Sequence, residues 1–174
     1  MPPKGTPERS ADSVAFMLTQ VGARAAQDFA KSLAPLGLTP PDAGILGLLS
    51  RLPGLSQQEL ADRLGMHASR LVAVIDSMEE RGLVVRQANA NDRRIYALQL
   101  SEAGREALNK IGRASRAHDE AFCDGLSASE HSQLGELLKK LANRHGLAPG
   151  IHPGYRTLGK PSEAKHPAVP QEKK

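Results

Sequence analysis

Between residues 56 and 82 two short amphipathic helices must meet across a turn of only a few residues, and that junction restricts the fold more than any other stretch. Ser56-Gln57-Gln58-Glu59 has the form of a capping box, in which Ser56 and Glu59 each satisfy the other's orphan backbone donor. Leu55 and Leu60 stand where a hydrophobic staple would pack. The helix they open ends near Gly65, and the next starts almost at once, around His67 or Ala68. Its apolar stripe is Leu71, Val74, Ile75 and Met78, and it stops at Arg81-Gly82, where glycine suits the left-handed position after a helix. So tight a glycine-containing link predicts a helix-turn-helix. The period then changes from helical to alternating. Leu83-Val84-Val85-Arg86 and Ile95-Tyr96-Ala97-Leu98-Gln99-Leu100 read as short strands around the turn-rich Asn89-Ala90-Asn91-Asp92. A hairpin in that place is the wing of a winged helix.

The flanking segments are helical. From Ser10, Val14, Leu18, Val21, Ala25 and Phe29 recur at threes and fours until Pro35 ends the pattern. Thr39-Pro40-Pro41-Asp42 opens another helix, with Thr39 as cap, Pro40 at the first position and Asp42 in the first turn. Ile45, Leu48 and Leu49 follow, and Pro53-Gly54 stops it. Ser101 caps a long helix carrying Leu108, Ile111 and Phe122, and Ser127-Ala128-Ser129-Glu130 is a second capping box. It opens a helix with Leu134, Leu137, Leu138 and Leu141, closed by Gly146. The expected division is a flexible lead-in at 1–9, a helix and linker at 10–38, a winged helix-turn-helix at 39–100, two helices at 101–148 and a disordered tail at 149–174.

Composition narrows the class. Apolar residues reach 40%, enough for a core, whereas aromatics are 3% and Trp is absent, which argues against a β-sandwich. The fold class is therefore mainly α. No apolar run approaches the roughly 18 residues of a membrane span, and Met1-Pro2-Pro3-Lys4-Gly5 lacks the apolar stretch of a signal peptide. The single cysteine, Cys123, cannot form an intrachain disulfide, which fits the cytoplasm. Lys and Arg total 23 against 19 acidic residues, a net charge of +4 that is compatible with nucleic acid without requiring it.

Several fragments, taken in order, carry a family resemblance. Leu60-Ala61-Asp62-Arg63-Leu64-Gly65 is followed by Leu71 to Ile75, then by Met78-Glu79-Glu80-Arg81-Gly82-Leu83-Val84. Asn91-Asp92-Arg93-Arg94 and Leu100-Ser101-Glu102-Ala103-Gly104 complete the series. Over roughly residues 10–146 the chain resembles the MarR family of bacterial winged helix-turn-helix regulators. The resemblance implies a homodimer joined by its terminal helices and bound to a pseudo-palindromic DNA operator, most simply as a repressor. It further implies release by a small aromatic or anionic ligand held between the dimerisation helices and the DNA-binding lobe. Candidate interface residues are Val14, Leu18, Leu108, Ile111, Phe122, Leu134, Leu137 and Leu141.

The same resemblance puts the helix after Gly65 in the major groove. His67, Ala68, Ser69, Arg70 and Ala73 surround its exposed start. Arg70 is suited to a guanine edge, Ser69 to a base or phosphate, and the alanines to a thymine methyl. The chain departs from the family pattern here: Arg70 stands where Thr is frequent, and Val72-Ala73 where Thr-Arg is frequent. In the wing, Arg94 resembles the arginine that enters the minor groove and Asp92 the acid that orients it, while Arg93 and Arg86 suit phosphates. Ser56 and Gln57 could offer backbone donors to phosphate, although Ser56 is first a cap.

Other classes have weaker support. No glycine-rich phosphate loop is present, and no catalytic triad is placed by spacing, so an enzyme is not expected. Neither a cofactor nor a metal is expected. His118, Asp119, Glu120 and Cys123 form the one suggestive cluster, but His118 and Cys123 are five apart, not the three or four that align ligands on a helix face. A metal- or redox-sensing regulator of the same fold is the alternative reading, followed by a winged-helix module that binds another protein.

Overall fold

The computed structural model describes residues 13–88 and 96–151. The lead-in at 1–9, the hairpin tip with Asp92, Arg93 and Arg94, and most of the 149–174 tail lie outside them. Six α-helices and one hairpin follow in the expected order: α1 (Val14–Leu33), α2 (Pro40–Arg51), α3 (Gln57–Leu64), α4 (Ala68–Glu80), β1 (Val84–Ala88), β2 (Tyr96–Leu100), α5 (Glu102–Phe122) and α6 (Ala128–Arg144). The class is mainly α, with the antiparallel pair β1–β2 registered Val84 to Leu100 and Ala88 to Tyr96. No described helix is long and apolar enough to cross a membrane.

The helix starts follow side-chain chemistry. Ser13, Thr39, Ser56, Ser101 and Ser127 each accept a hydrogen bond from a backbone N–H in the first turn of the helix they open. Both expected capping boxes form, and Thr39 with Asp42 makes a third. Pro35 does not sit at the end of α1 itself; it lies in a single 3-10 turn, Ala34–Leu36, that turns the chain at Gly37. Gly65 and Gly82 take left-handed backbone, at φ 64° and 69°, which only glycine adopts without strain.

One apolar cluster holds these elements together. Leu33, Ile45, Leu46, Leu49, Leu60, Leu64, Leu71, Ile75, Met78, Val84 and Leu98 are the largest fully buried side chains. Each contributes on the order of 1.5–3 kcal/mol by leaving water. Ala107 and Ile111 of α5 join the same cluster, so the core runs across the boundaries at 38/39 and 100/101. Ile111 is thus 7% exposed and packed inside the chain, not at a free face, because α5 lies against α1 and α2. At the start of the expected 149–174 tail, Ile151 packs against the core and the Arg51 guanidinium lies beside Gly150; residues 152–174 lie outside the described residues.

An ion pair between a buried carboxylate and an exposed guanidinium joins the front of α2 to the end of α4. Asp42 is 4% exposed and accepts the Thr39 backbone N–H at 3.0 Å. Both its oxygens also accept from Arg81, at 2.8 and 3.1 Å, and the same guanidinium reaches the Gly37 carbonyl. A planar fork on a carboxylate fixes orientation as well as distance.

The Leu-Ser-x-x-Gly sequence has a steric explanation. Ser101 caps α5 and donates its hydroxyl to the Gly82 carbonyl, which draws the start of α5 onto the end of α4. A Cβ at Gly104 would lie 2.0 Å from the Leu83 carbonyl oxygen, a backbone atom that cannot rotate away. In an open helix Gly→Ala gains up to about 1 kcal/mol. Here Gly104→Ala should instead cost about 1–3 kcal/mol by overpacking, read as a lower urea midpoint. An unchanged or raised midpoint would contradict the close approach.

Candidate nucleic-acid interface

Helix α4 is anchored on one face and bare on the other. Leu71, Ile75 and Met78 are fully buried, while Ala68, Ser69, Val72, Ala73 and Asp76 are exposed. Its cap residue, His67, makes no side-chain capping bond, so the backbone donors of the first turn are not closed off as in the other five α-helices. Such a turn attracts anions through its N–H groups and the helix dipole.

Position around α4 separates the residues expected to meet DNA. Ser69 and Ala73, four apart, share the outward face. Arg70 is half-buried on the flank toward α2, where with Ala73, Ser77 and Arg81 it borders a concavity that also includes Thr39, Asp42 and Met66, so Ala73 lies between this flank and the face of Ser69. The sequence pattern alone did not distinguish flank from front.

The opposite flank is tied to the hairpin by Arg86. Its guanidinium donates to the carboxylates of Asp76 and Glu79, and its backbone N–H donates to Glu79 at 3.3 Å. Burial works against the charge, but the two carboxylates outweigh it and hold the Arg86 pKa above its ordinary value. The side chain is only 18% exposed. The cation expected to face phosphate is therefore already engaged with α4, and Asp76 and Glu79 were not singled out from the sequence. Their signal was available only as two acids three apart on the helix preceding the strand.

Ser56 and Gln57 have different situations. The Ser56 backbone N–H and hydroxyl both donate to Glu59, holding that carboxyl below the usual glutamate range. Those donors are thus occupied, and the charged Glu59 stands beside them. Ser56 also bridges Ala97 of β2, next to the bond from the Leu98 N–H to the Leu55 carbonyl at 2.8 Å. This adds a third edge to the hairpin and fixes α3 to the wing. Gln57 is half-buried, its Nε2 shielded and without a hydrogen-bond partner among the described residues. Asp92, Arg93 and Arg94 lie at the hairpin tip outside the described residues.

The helices outside this lobe are only partly covered. On α1, Val14 is 65% exposed and Phe16, Met17, Leu18 and Val21 are also exposed. No residue of α6 is buried, and Leu134, Leu137, Leu138 and Leu141 lie exposed along it. Leu108 is half-buried against the core, and Phe122 is half-buried beside the His118 ring, which also meets Phe29.

Comparison with known proteins agrees with this arrangement. A MarR family model matches residues 36–95, the segment from the end of the 3-10 turn to the hairpin. A candidate transcriptional regulatory protein for the hcr operon of Thauera aromatica is 34% identical over 140 residues, covering 80% of this chain and 84% of that one. The transcriptional repressor Rv2887 of Mycobacterium tuberculosis is 30% identical over 128 residues, covering 74% of this chain and 92% of that one. Its structure in complex with DNA superposes with a TM-score of 0.66 at 29% identity, over 74% of this chain and 97% of that one. The repressor CouR, solved on a 23-mer DNA duplex, gives a TM-score of 0.68 at 30% identity, over 78% of this chain and 99% of that one. CouR from Rhodococcus jostii RHA1 has also been solved with p-coumaroyl-CoA, with a TM-score of 0.64 at 28% identity, covering 78% of this chain and 95% of that one. These relatives are regulators of transcription, not enzymes, and the chain belongs to the MarR family of transcriptional regulators.

Proposed function

We propose that this chain represses transcription by binding a pseudo-palindromic operator as a homodimer, with α4 in the major groove and the hairpin tip over the adjacent minor groove. The observation that carries this reading is the bare outward face of α4 on a fully buried backing, in a chain similar to two repressors solved on DNA. Ser69 and Ala73 meet base edges, Ala68 and His67 line the entry, and Arg70 reaches in from its flank. Arg94 enters the minor groove, with Asp92 orienting it and Arg93 on phosphate. Gln57 flanks the same surface at the start of α3. The work of such a regulator is on the chromosome, in the cytoplasm.

The uncovered faces of α1 and α6 support the dimer. Leu134, Leu137, Leu138 and Leu141 repeat at threes and fours, and exposing so continuous an apolar stripe to water is unfavourable. Val14 and Leu18 are likewise exposed on α1, and together with Phe122 we assign them to the same interface. For a small aromatic or anionic ligand the candidate site is a concavity of about 350 Å³ between α2, β2 and α5, lined by Leu49, Pro53, Leu100 and Leu108 together with the polar Ser50, Gln99 and Asn109, and rimmed by Arg105.

Measurements of assembly, operator spacing, affinity and salt dependence test this reading. Light scattering at micromolar concentration should give a dimer, which Leu137→Glu converts to monomer; a monomeric parent protein would end the proposal. Operator half-sites should then lie about one turn of DNA, 10 base pairs or so, apart. Arg94→Ala should lower operator affinity by about 1–3 kcal/mol while unfolding is unchanged. Parent affinity in the folded variant would remove Arg94 from the interface. Arg86→Ala should lower unfolding stability by about 1–2 kcal/mol, since its half-exposed partners lose a charged hydrogen-bond donor. Because no phosphate contact is lost, affinity should fall with the slope of log K against log salt unchanged. A slope flattened by roughly one unit per subunit would assign Arg86 to phosphate instead.

A further inference from the structure

At the corner where α5 gives way to α6, a carboxylate, a thiol and an imidazole converge. Asp119 and Cys123 are four apart, so they share one face of the last turn of α5, and Cys123 is the residue that ends it. The chain then reverses through Gly125, at φ +97°, and Ser127 caps α6. That reversal brings His131, one turn into α6, back over the end of α5. One ligand atom from each of Asp119, Cys123 and His131 lies within 4.8 Å of the other two. His131 Nε2 and Asp119 Oδ2 lie 3.2 Å apart. His118, which the sequence suggested as a partner, is instead turned toward Phe29 and Phe122.

We propose that Asp119, Cys123 and His131 form a binding site for a zinc-type divalent cation that clips α5 to α6. One oxygen, one sulfur and one nitrogen donor suit a borderline-soft ion, not magnesium or calcium, which take oxygen ligands. Metal–ligand bonds of about 2.0–2.3 Å in a tetrahedron set the donors roughly 3.3–3.8 Å apart. Cys123 is half-buried, and Asp119 and His131 are exposed, so small side-chain rotations at the surface bring the set to that spacing. Three protein ligands leave the fourth position of a tetrahedral ion for water. Binding takes the thiol as thiolate, with its proton passing to solvent.

The location gives such an ion leverage. Without it, the α5–α6 corner is joined at these side chains only by an exposed His131–Asp119 contact, a kind of pair that contributes little. With it, the first turn of α6 is fixed to the last turn of α5. Helix α6 carries the exposed Leu134, Leu137, Leu138 and Leu141 stripe, so the ion would set the angle at which that stripe is offered to a partner.

Cobalt(II), added alone to the full chain under a non-chelating reductant, is the direct probe. The expected result is a near-ultraviolet thiolate-to-cobalt charge-transfer band with intense visible absorption of tetrahedral form, saturating at one ion per chain and displaced by zinc(II). Cys123→Ser should abolish the charge-transfer band. His131→Ala and Asp119→Asn should each weaken binding by about tenfold or more. Zinc(II) should raise the melting temperature of the parent protein and not that of Cys123→Ser or His131→Ala. All three positions are at the surface, and circular dichroism confirms that the variants fold. Absence of the band, or cobalt binding unchanged by Cys123→Ser and His131→Ala, overturns the proposal; the latter would put the ion on histidines elsewhere. None of these readouts involves DNA, so they stand or fall apart from operator binding.

Discussion

The Asp42–Arg81 pair is the constraint on which the placement of α4 depends. A carboxylate removed from water is tolerable only when its oxygens are well paired, and Asp42 has Arg81 on both and the Thr39 N–H besides. The pair therefore works as a geometric lock: the first turn of α2 and the last of α4 must meet in one orientation for both oxygens to be satisfied. The Gly37 carbonyl, bonded by the same guanidinium, brings the turn after α1 into the lock. Hydrophobic burial of Leu71, Ile75 and Met78 supplies the free energy that holds α4 down, but apolar contact is non-directional. Directional bonds decide where α4 points.

The other flank of α4 is held by different means. Arg86 crosses from β1 to Asp76 and Glu79, while the Ser56–Ala97 bridge ties the start of α3 to β2. Ser101 and Gly104 then press the start of α5 against the end of α4. The result is a helix tied on both flanks near its end, with its outward face bare and a concavity beside Arg70 and Ser77. Precise presentation of a few side chains requires this kind of support, because loosely held ones lose binding free energy to ordering.

Outside the lobe the chain is built differently. Helices α1 and α6 keep apolar residues in water; α1 packs on α5, whereas no residue of α6 is buried. A rigid reading lobe joined to uncovered outer helices suits a protein whose outer helices are completed by a second copy. It also makes the α5–α6 corner a sensitive place, since a small change of angle there moves the whole exposed stripe.

Much of this was legible from the chain alone. Caps, glycine stops and the switch from helical to alternating period are local effects, which is why α2, α3, α4 and the hairpin appear close to their expected bounds. The Leu-Ser-x-x-Gly fragment likewise helped to carry the family, because it answers a local steric and hydrogen-bonding need. What the sequence left undecided depended on residues far apart in the chain. Arg81 lies 39 positions from Asp42, and nothing local pairs them. Periodicity put Ile111 on an apolar stripe but did not say which side of the stripe the core would take. Arg86 read as a free cation because strand spacing does not reveal the acids of the helix packed beside it. His131 was invisible as a partner of Cys123 because ligand spacing was judged along one helix, whereas the α5–α6 reversal brings the imidazole in from the next. Local chemistry determined the elements; which side chains meet was decided by how those elements bury a shared core.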